Sequence, residues 1–116
     1  MHAPDLAAKL VSRRYRAPMD EARLQEEIAA LLTVEGFTYE REVRLTTTDR
    51  IDFMVGGIGI EVKVQGSALA VMRQLLRYAE HERVSELILF TTRAQIVVPS
   101  ELGGKPVHTA RYYAGL

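Results

Sequence analysis

The sequence has no cysteine. That excludes a disulfide scaffold, a thiolate metal site and a cysteine nucleophile, and it fits an intracellular compartment. No apolar run approaches the roughly 18–20 residues that a membrane-spanning helix needs. The N-terminus lacks the apolar core of a signal peptide, so the expectation is a cytoplasmic protein with no membrane partner. Repeats, low-complexity tracts and linkers are also missing. Net charge is absent too, with 15 Lys and Arg against 15 Asp and Glu. The balance speaks neither for nor against nucleic acid, because an acidic metal-binding cleft would offset a basic binding surface. Within the basic set Arg far outnumbers Lys. Arg forks onto phosphates and stacks on bases, but a GC-rich genome that favours Arg codons explains the excess equally well.

What is present is a chain of 116 residues, 47% of them hydrophobic. That is the size of one ordinary domain with a core that needs no staples. Residues 4–16, PDLAAKLVSRRYR, read as a short helix with a basic end or as an arm. Asp20 is set to cap a helix from Glu21 to about Glu35, with Leu24, Ile28, Leu31 and Leu32 as its apolar stripe and Gly36 as its stop. Phe37–Leu45 alternates as a strand does. Residues 50–55 and 58–64 form two more strands around a Gly56-Gly57 turn. Residues 68–83 are helical, with Leu69, Met72, Leu75, Leu76 and Ala79 inward. Glu86–Thr92 reads as a buried strand. A weaker strand, QIVV, stops at Pro99, and KPVHTARYY predicts a last strand at a sheet edge. The order predicts one α/β domain with a mixed sheet flanked by helices, its core about 20–92, an N-terminal helix or arm 1–19 and a C-terminal extension 93–116.

The hairpin RIDFMVGGIGIEVKVQG carries acids inside its best strands. Alternation puts Ile51, Phe53 and Val55 on one face, and Ile60, Val62 and Val64 together. Glu61, Lys63 and Gln65 take the opposite face. A two-residue turn pairs Val55 with Ile58, Met54 with Gly59, Phe53 with Ile60 and therefore Asp52 with Glu61. Directly opposed side chains have Cβ atoms about 4.5–5.5 Å apart. Like charges placed so destabilise a hairpin, and a hard divalent cation held by carboxylate oxygens resolves the conflict. Lys63, on the same face, helps to neutralise the pair. A merely solvent-facing E-x-K is the bland alternative. The Asp nine residues earlier, the Gly-Gly turn and the following helix argue against it.

At these residues the chain resembles the PD-(D/E)xK nuclease superfamily, of restriction-endonuclease-like fold. Asp52 matches the Asp of the second core strand, and Glu61-Val62-Lys63 matches the (D/E)-x-K of the third. The superfamily order α-β-β-β-α-β matches Glu21 to Thr92. Ile51 stands where the usual Pro would precede the Asp. The helix DEARLQEEIAALL is similar to the E-x-x-L-Q-x-x-I of virus-type replication-repair nucleases, which singles out Glu21, with Glu27 second. Archaeal Holliday-junction resolvases carry their acid where this chain has Gln25. Gln74 and Tyr78 resemble the Q-x-x-x-Y of RecB-like nucleases and, four residues apart, share a face read as turned outward.

The resemblance implies a Mg²⁺-dependent deoxyribonuclease, Mn²⁺ substituting, of use in DNA repair, recombination or replication. It implies that Asp52, Glu61, the Val62 carbonyl and Glu21 hold the metal, with Lys63 completing the catalytic set. Gln65, Gln74, Tyr78, Arg73 and Arg77 are the expected nucleic-acid contacts, on DNA with RNA left open. The small size predicts a homodimer or a subunit of a larger complex. The competing expectation is an inactive nuclease-like module that binds nucleic acid or protein, or a subunit docking through a sheet edge or its tail. His2, His81 and His108 have no metal-ligand spacing.

Overall fold

The computed structural model describes residues 2–16 and 20–113. Met1, Ala17–Met19 and the last three residues of the expected arm and tail lie outside them. The elements are α1 (Ala3–Ser12), α2 (Glu21–Val34), β1 (Glu40–Arg44), β2 (Arg50–Val55), β3 (Ile58–Lys63), α3 (Ala68–Ala79), β4 (Glu86–Thr91), β5 (Glu101–Leu102) and β6 (Lys105–Arg111). The six strands form one mixed sheet in the order β1-β2-β3-β4-β6-β5. The α/β class with helices on both faces of a mixed sheet is therefore as expected. None of the described helices is long and apolar enough to cross a membrane.

Each side of the sheet has its own core. Leu6 and Leu10 of α1 and Leu24, Ile28 and Leu32 of α2 pack on Phe53, Ile60, Val62, Ile88 and Phe90. On the other face Val71, Leu75 and Tyr78 of α3 pack on Ile51, Met54, Leu87, Leu89 and Val107. The continuous apolar run of β4 follows from this, since both of its faces are covered. Asp20 caps α2 as expected, its carboxylate accepting from the Arg23 N–H at 2.8 Å. Helix α2 closes at Gly36, whose φ of 80° suits a residue without Cβ.

Several expectations are corrected. Helix α1 ends at Ser12 and its C-cap Arg13 is extended, so Arg13, Arg14 and Arg16 lie beyond the helix rather than in its last turn. Helix α3 stops at Ala79, short of residue 83. QIVV is not a strand; only Ile96 of that run is buried and Val97 is exposed. The final strand β6 is not an edge, because it pairs in parallel with β4 and is flanked outside by two-residue β5. Its Val107 and Ala110 are buried, so this part of the tail is core rather than a free docking element. The real edges are β1, charged and largely exposed, and the very short β5. Both discourage strand addition by a partner.

The hairpin register holds for three pairs from the turn, Val55 with Ile58, Met54 with Gly59 and Phe53 with Ile60, and does not continue to the expected pairing of Asp52 with Glu61. Gly59 makes room for Ile51, since a Cβ there would meet the Ile51 Cδ1 at 2.5 Å and the Leu87 Cδ2 at 3.2 Å. Ile51 is fully buried and cannot retreat to solvent. Gly59→Ala is expected to cost about 1–3 kcal/mol by overpacking, read as a lower urea midpoint with unchanged m-value.

Candidate functional site

Past Phe53 the hairpin departs from regular pairing. Asp52 and Glu61 are not backbone partners. Instead the Asp52 N–H donates to the Glu61 Oε1 at 3.2 Å, and the Val62 N–H donates to the Asp52 Oδ2 at 2.8 Å. Two side-chain bonds replace the ladder where it opens. Phe53 and Val55 pack with α2, whereas Ile51 packs with α3, so β2 changes faces at Asp52. The expected sharing of one face by Ile51, Phe53 and Val55 is thus corrected.

The neighbouring strand turns over at the same place. Arg41 lies over the Phe53 ring at 5.5 Å, while Val43 belongs to the α3-side core. Between them Glu42 has φ 50°, rare for a residue with a Cβ and costing on the order of 1–3 kcal/mol. The pairs Arg41–Phe53 and Val43–Ile51 place Glu42 across from Asp52. Glu42 and Asp52 therefore lie opposite each other where β1 and β2 both change faces, with Glu61 beside them on β3. The strained residue is exposed Glu42, beside half-buried Asp52 and buried Glu61.

The electrostatics follow from burial. Glu61 is 3% exposed. Burial first and the Asp52 charge second push its carboxyl up to about 8, although Lys63 pulls the other way. Burial likewise raises Asp52, helped by the negative charge of Glu21 and opposed by the Val62 N–H. The cation-free pair therefore retains a proton near neutral pH. The Lys63 Nζ lies 3.2 Å from the Glu61 Oε2 and is itself mostly covered. Glu61 is thus only partly ionised beside it.

Gln74 and Tyr78 are placed differently from expectation. Tyr78 is fully buried in the α3-side core, not outward, and its ring cannot stack on a base. Its hydroxyl donates to the Arg50 carbonyl at 2.9 Å and sits 3.4 Å from the Glu61 Oε2. The Gln74 Nε2 donates to that hydroxyl at 2.8 Å. Burial, then the charges of Glu61 and Asp52, push the phenol well above its usual range, so it stays a donor. Both residues support the carboxylate pair from behind. Tyr78→Phe leaves the Arg50 carbonyl without its donor, and is expected to cost about 1–3 kcal/mol in chemical denaturation with α-helical content unchanged.

The remaining expected residues divide. Glu21 is close enough for its charge to act on Asp52. Glu27 is engaged elsewhere, accepting the Arg16 N–H at 3.1 Å. Arg77 is tied to Asp49 at 3.0 Å rather than available to phosphate. Arg73 and Gln65 are exposed. Asp49 itself was not foreseen. It is buried in the β1–β2 turn, and its backbone carbonyl accepts from Leu45 and Thr46. Its place at the end of a TTTD turn was the available signal.

Among the described residues no three His, Cys, Asp or Glu side chains lie together in a way that could hold a metal ion. The expected four-donor set with Glu21 is therefore not assembled around one point; Asp52 and Glu61 come together as a pair. No family model, curated protein or solved structure matches the chain. A buried and a half-buried carboxyl group, with an ammonium beside them, form a hard-oxygen donor pair. Carboxylate oxygens are the donor type that hard cations such as Mg²⁺ and Mn²⁺ take.

Proposed function

We propose that this chain is a metal-dependent nuclease of the PD-(D/E)xK type, with a restriction-endonuclease-like fold, that hydrolyses DNA phosphodiester bonds. The observation that carries the reading is a pair of bonds across β2 and β3, in which the Asp52 N–H donates to the Glu61 carboxylate and the Val62 N–H donates to the Asp52 carboxylate. It holds two acids together, against their mutual repulsion, where the sheet opens and Lys63 stands beside them. The element order α2-β1-β2-β3-α3-β4 supports it further.

In this reading Asp52 and Glu61, with the Val62 carbonyl, would hold Mg²⁺, and Glu21 would add negative charge from α2. When bound, the ion supplies Lewis acidity and a water of lowered pKa. Lys63 donates to a non-bridging phosphate oxygen and stabilises charge that builds up there. Tyr78 and Gln74 fix the Glu61 carboxylate. The attacking water gives up a proton to solvent as its oxygen bonds to phosphorus, the bond to the leaving oxygen breaks, and that oxygen takes up a proton from solvent. The absence of a third clustered carboxylate among the described residues favours one alternative, a nuclease-like module that binds nucleic acid or protein without cutting.

The test is a panel of labelled linear, flap and four-way-junction DNA, with an RNA control, incubated with Mg²⁺, Mn²⁺ or chelator. It is run beside a mass measurement that reports whether a second copy completes the unit. Cleavage in Mg²⁺ and Mn²⁺ but not in chelator supports the nuclease. Binding without cleavage of any substrate supports the inactive module.

A further inference from the structure

We propose that the phosphate backbone of the nucleic acid docks on an arginine rim at the carboxyl-terminal ends of β3, β4 and β6, and not along α3. The identity of the partner rests on the nuclease reading; the place of docking rests on the following geometry. Lys63, Thr91 and Arg111 stand side by side in register at the ends of the three parallel strands. Open sheets take their ligands at this end of parallel strands. Arg93 follows β4 and directs one guanidinium nitrogen to the Val64 carbonyl, while Arg111 clamps the carbonyls of Arg93 and Ile96.

Tyr15 brings the segment after α1 to the same end. Its buried ring lies 5.3 Å from Phe90 and 5.0 Å from Tyr112, and its N–H donates to the Tyr112 hydroxyl. Arg13 and Arg16 then share a cleft of about 530 Å³ with Arg23 of α2. The two acids lining that cleft are already engaged. Glu26 pairs with Arg41 at 2.9 Å, and Glu27 accepts the Arg16 N–H.

Charge pairing separates this rim from α3. Among the described residues Arg13, Arg14, Arg16, Arg23, Arg93 and Arg111 have no carboxylate within ion-pair distance. On α3, Arg77 is held by Asp49 and Tyr78 is buried, which leaves Arg73 alone. Phosphate oxygens are met by guanidinium forks not already spent on carboxylates. A net charge of zero hides this segregation.

The experiment measures binding of a fluorescein-labelled duplex DNA to the full chain by anisotropy, in chelator and over a range of salt. Arg14, Arg16 and Arg23 are changed together to Gln, since their side chains make no bonds within the described fold. The expected result is weakening of roughly ten-fold or more and a salt slope smaller by about 0.9 for each phosphate no longer neutralised. The same three positions changed to Lys keep most of the binding, and Arg73→Gln changes neither quantity. Unaltered binding by the triple Gln variant, a loss carried by Arg73→Gln instead, or no binding by the wild type overturns the proposal. Cleavage measured on the same preparations separates the two readings. Cutting with no effect of the triple variant on binding leaves the nuclease standing and removes the rim. Rim-dependent binding without cutting does the reverse.

Discussion

In chelator, the protein is expected to become less stable as pH rises from about 4.5 to about 8. Glu61 ionises near 4.5 in an unfolded chain and near 8 in the folded one. Between those values the folded chain holds the extra proton, so the unfolding free energy falls with rising pH. Below about 4.5 this contribution is constant, because both states are protonated there. The loss is on the order of a few kcal/mol, taken by the Asp52–Glu61 pair as a unit. Most proteins with salt-bridged carboxylates show the opposite slope over the acid half of this window. Glu61→Gln removes the ionisable group without changing its shape. It should flatten the pH dependence and raise the melting temperature in chelator at pH 8. Mg²⁺ should raise the melting temperature of the wild type at pH 8, have little effect at pH 5, and do little for the Gln variant at either pH. Urea titrations at a series of pH values, with and without Mg²⁺, read all of these. A wild type whose stability rises steadily through the window would show that Glu61 is ionised throughout and is not paired as described.

Lys63→Ala should lower the rate of cleavage by roughly 10²–10³-fold, the usual loss when one stabiliser of developing charge is removed. The effect should fall on kcat more than on KM, because the charge that the ammonium meets grows in the transition state beyond that of the bound phosphodiester. The variant should still fold. Lys63 stands at the end of β3 and keeps partial access to solvent. Its removal leaves Glu61 without a counter-charge, but Glu61 then holds its proton more firmly. Lys63→Arg tests position against charge. A fork that reaches past Glu61 misplaces the donor, so recovery should be small. Single-turnover cleavage with saturating enzyme separates the chemical step from binding. A Lys63→Ala protein that cuts as fast as the wild type would confine Lys63 to a structural pairing with Glu61.

How much of this was legible in the sequence depends on which force decides each feature. Asp20 and Gly36 bounded α2 because cap chemistry is local. The register of Phe53, Met54 and Val55 followed from the turn and the apolar pattern alone. The change of face at Asp52 did not, because alternation assumes that every backbone N–H seeks a carbonyl. Here the Val62 N–H takes the Asp52 carboxylate. Side chains that compete with the ladder are invisible to a period of two.

Tyr78 was misplaced for a related reason. A helical stripe drawn through aliphatic residues leaves an amphipathic ring outside it. The structure buries the ring and satisfies its hydroxyl on Arg50 and Gln74. The position of β6 depends on a parallel pairing with β4 across the long connection between them. Local pattern carries no trace of such a pairing. Glu21 was legible as the acid of α2, and its charge reaches Asp52. Its failure to join a three-acid cluster depends on the spacing of helix and sheet, which no motif records.

The most direct measurement is cleavage of a labelled duplex and a branched DNA in Mg²⁺ by wild type and Asp52→Asn. Both proteins are purified identically and shown to be folded. The Asn side chain keeps an oxygen for the Val62 N–H but loses the charge, so the fold should persist. If the carboxylate pair holds the metal, the wild type cuts, chelator suppresses the cutting, and Asp52→Asn loses roughly 10³-fold or more with DNA binding retained. Equal cutting by both proteins, or none by either, would contradict it.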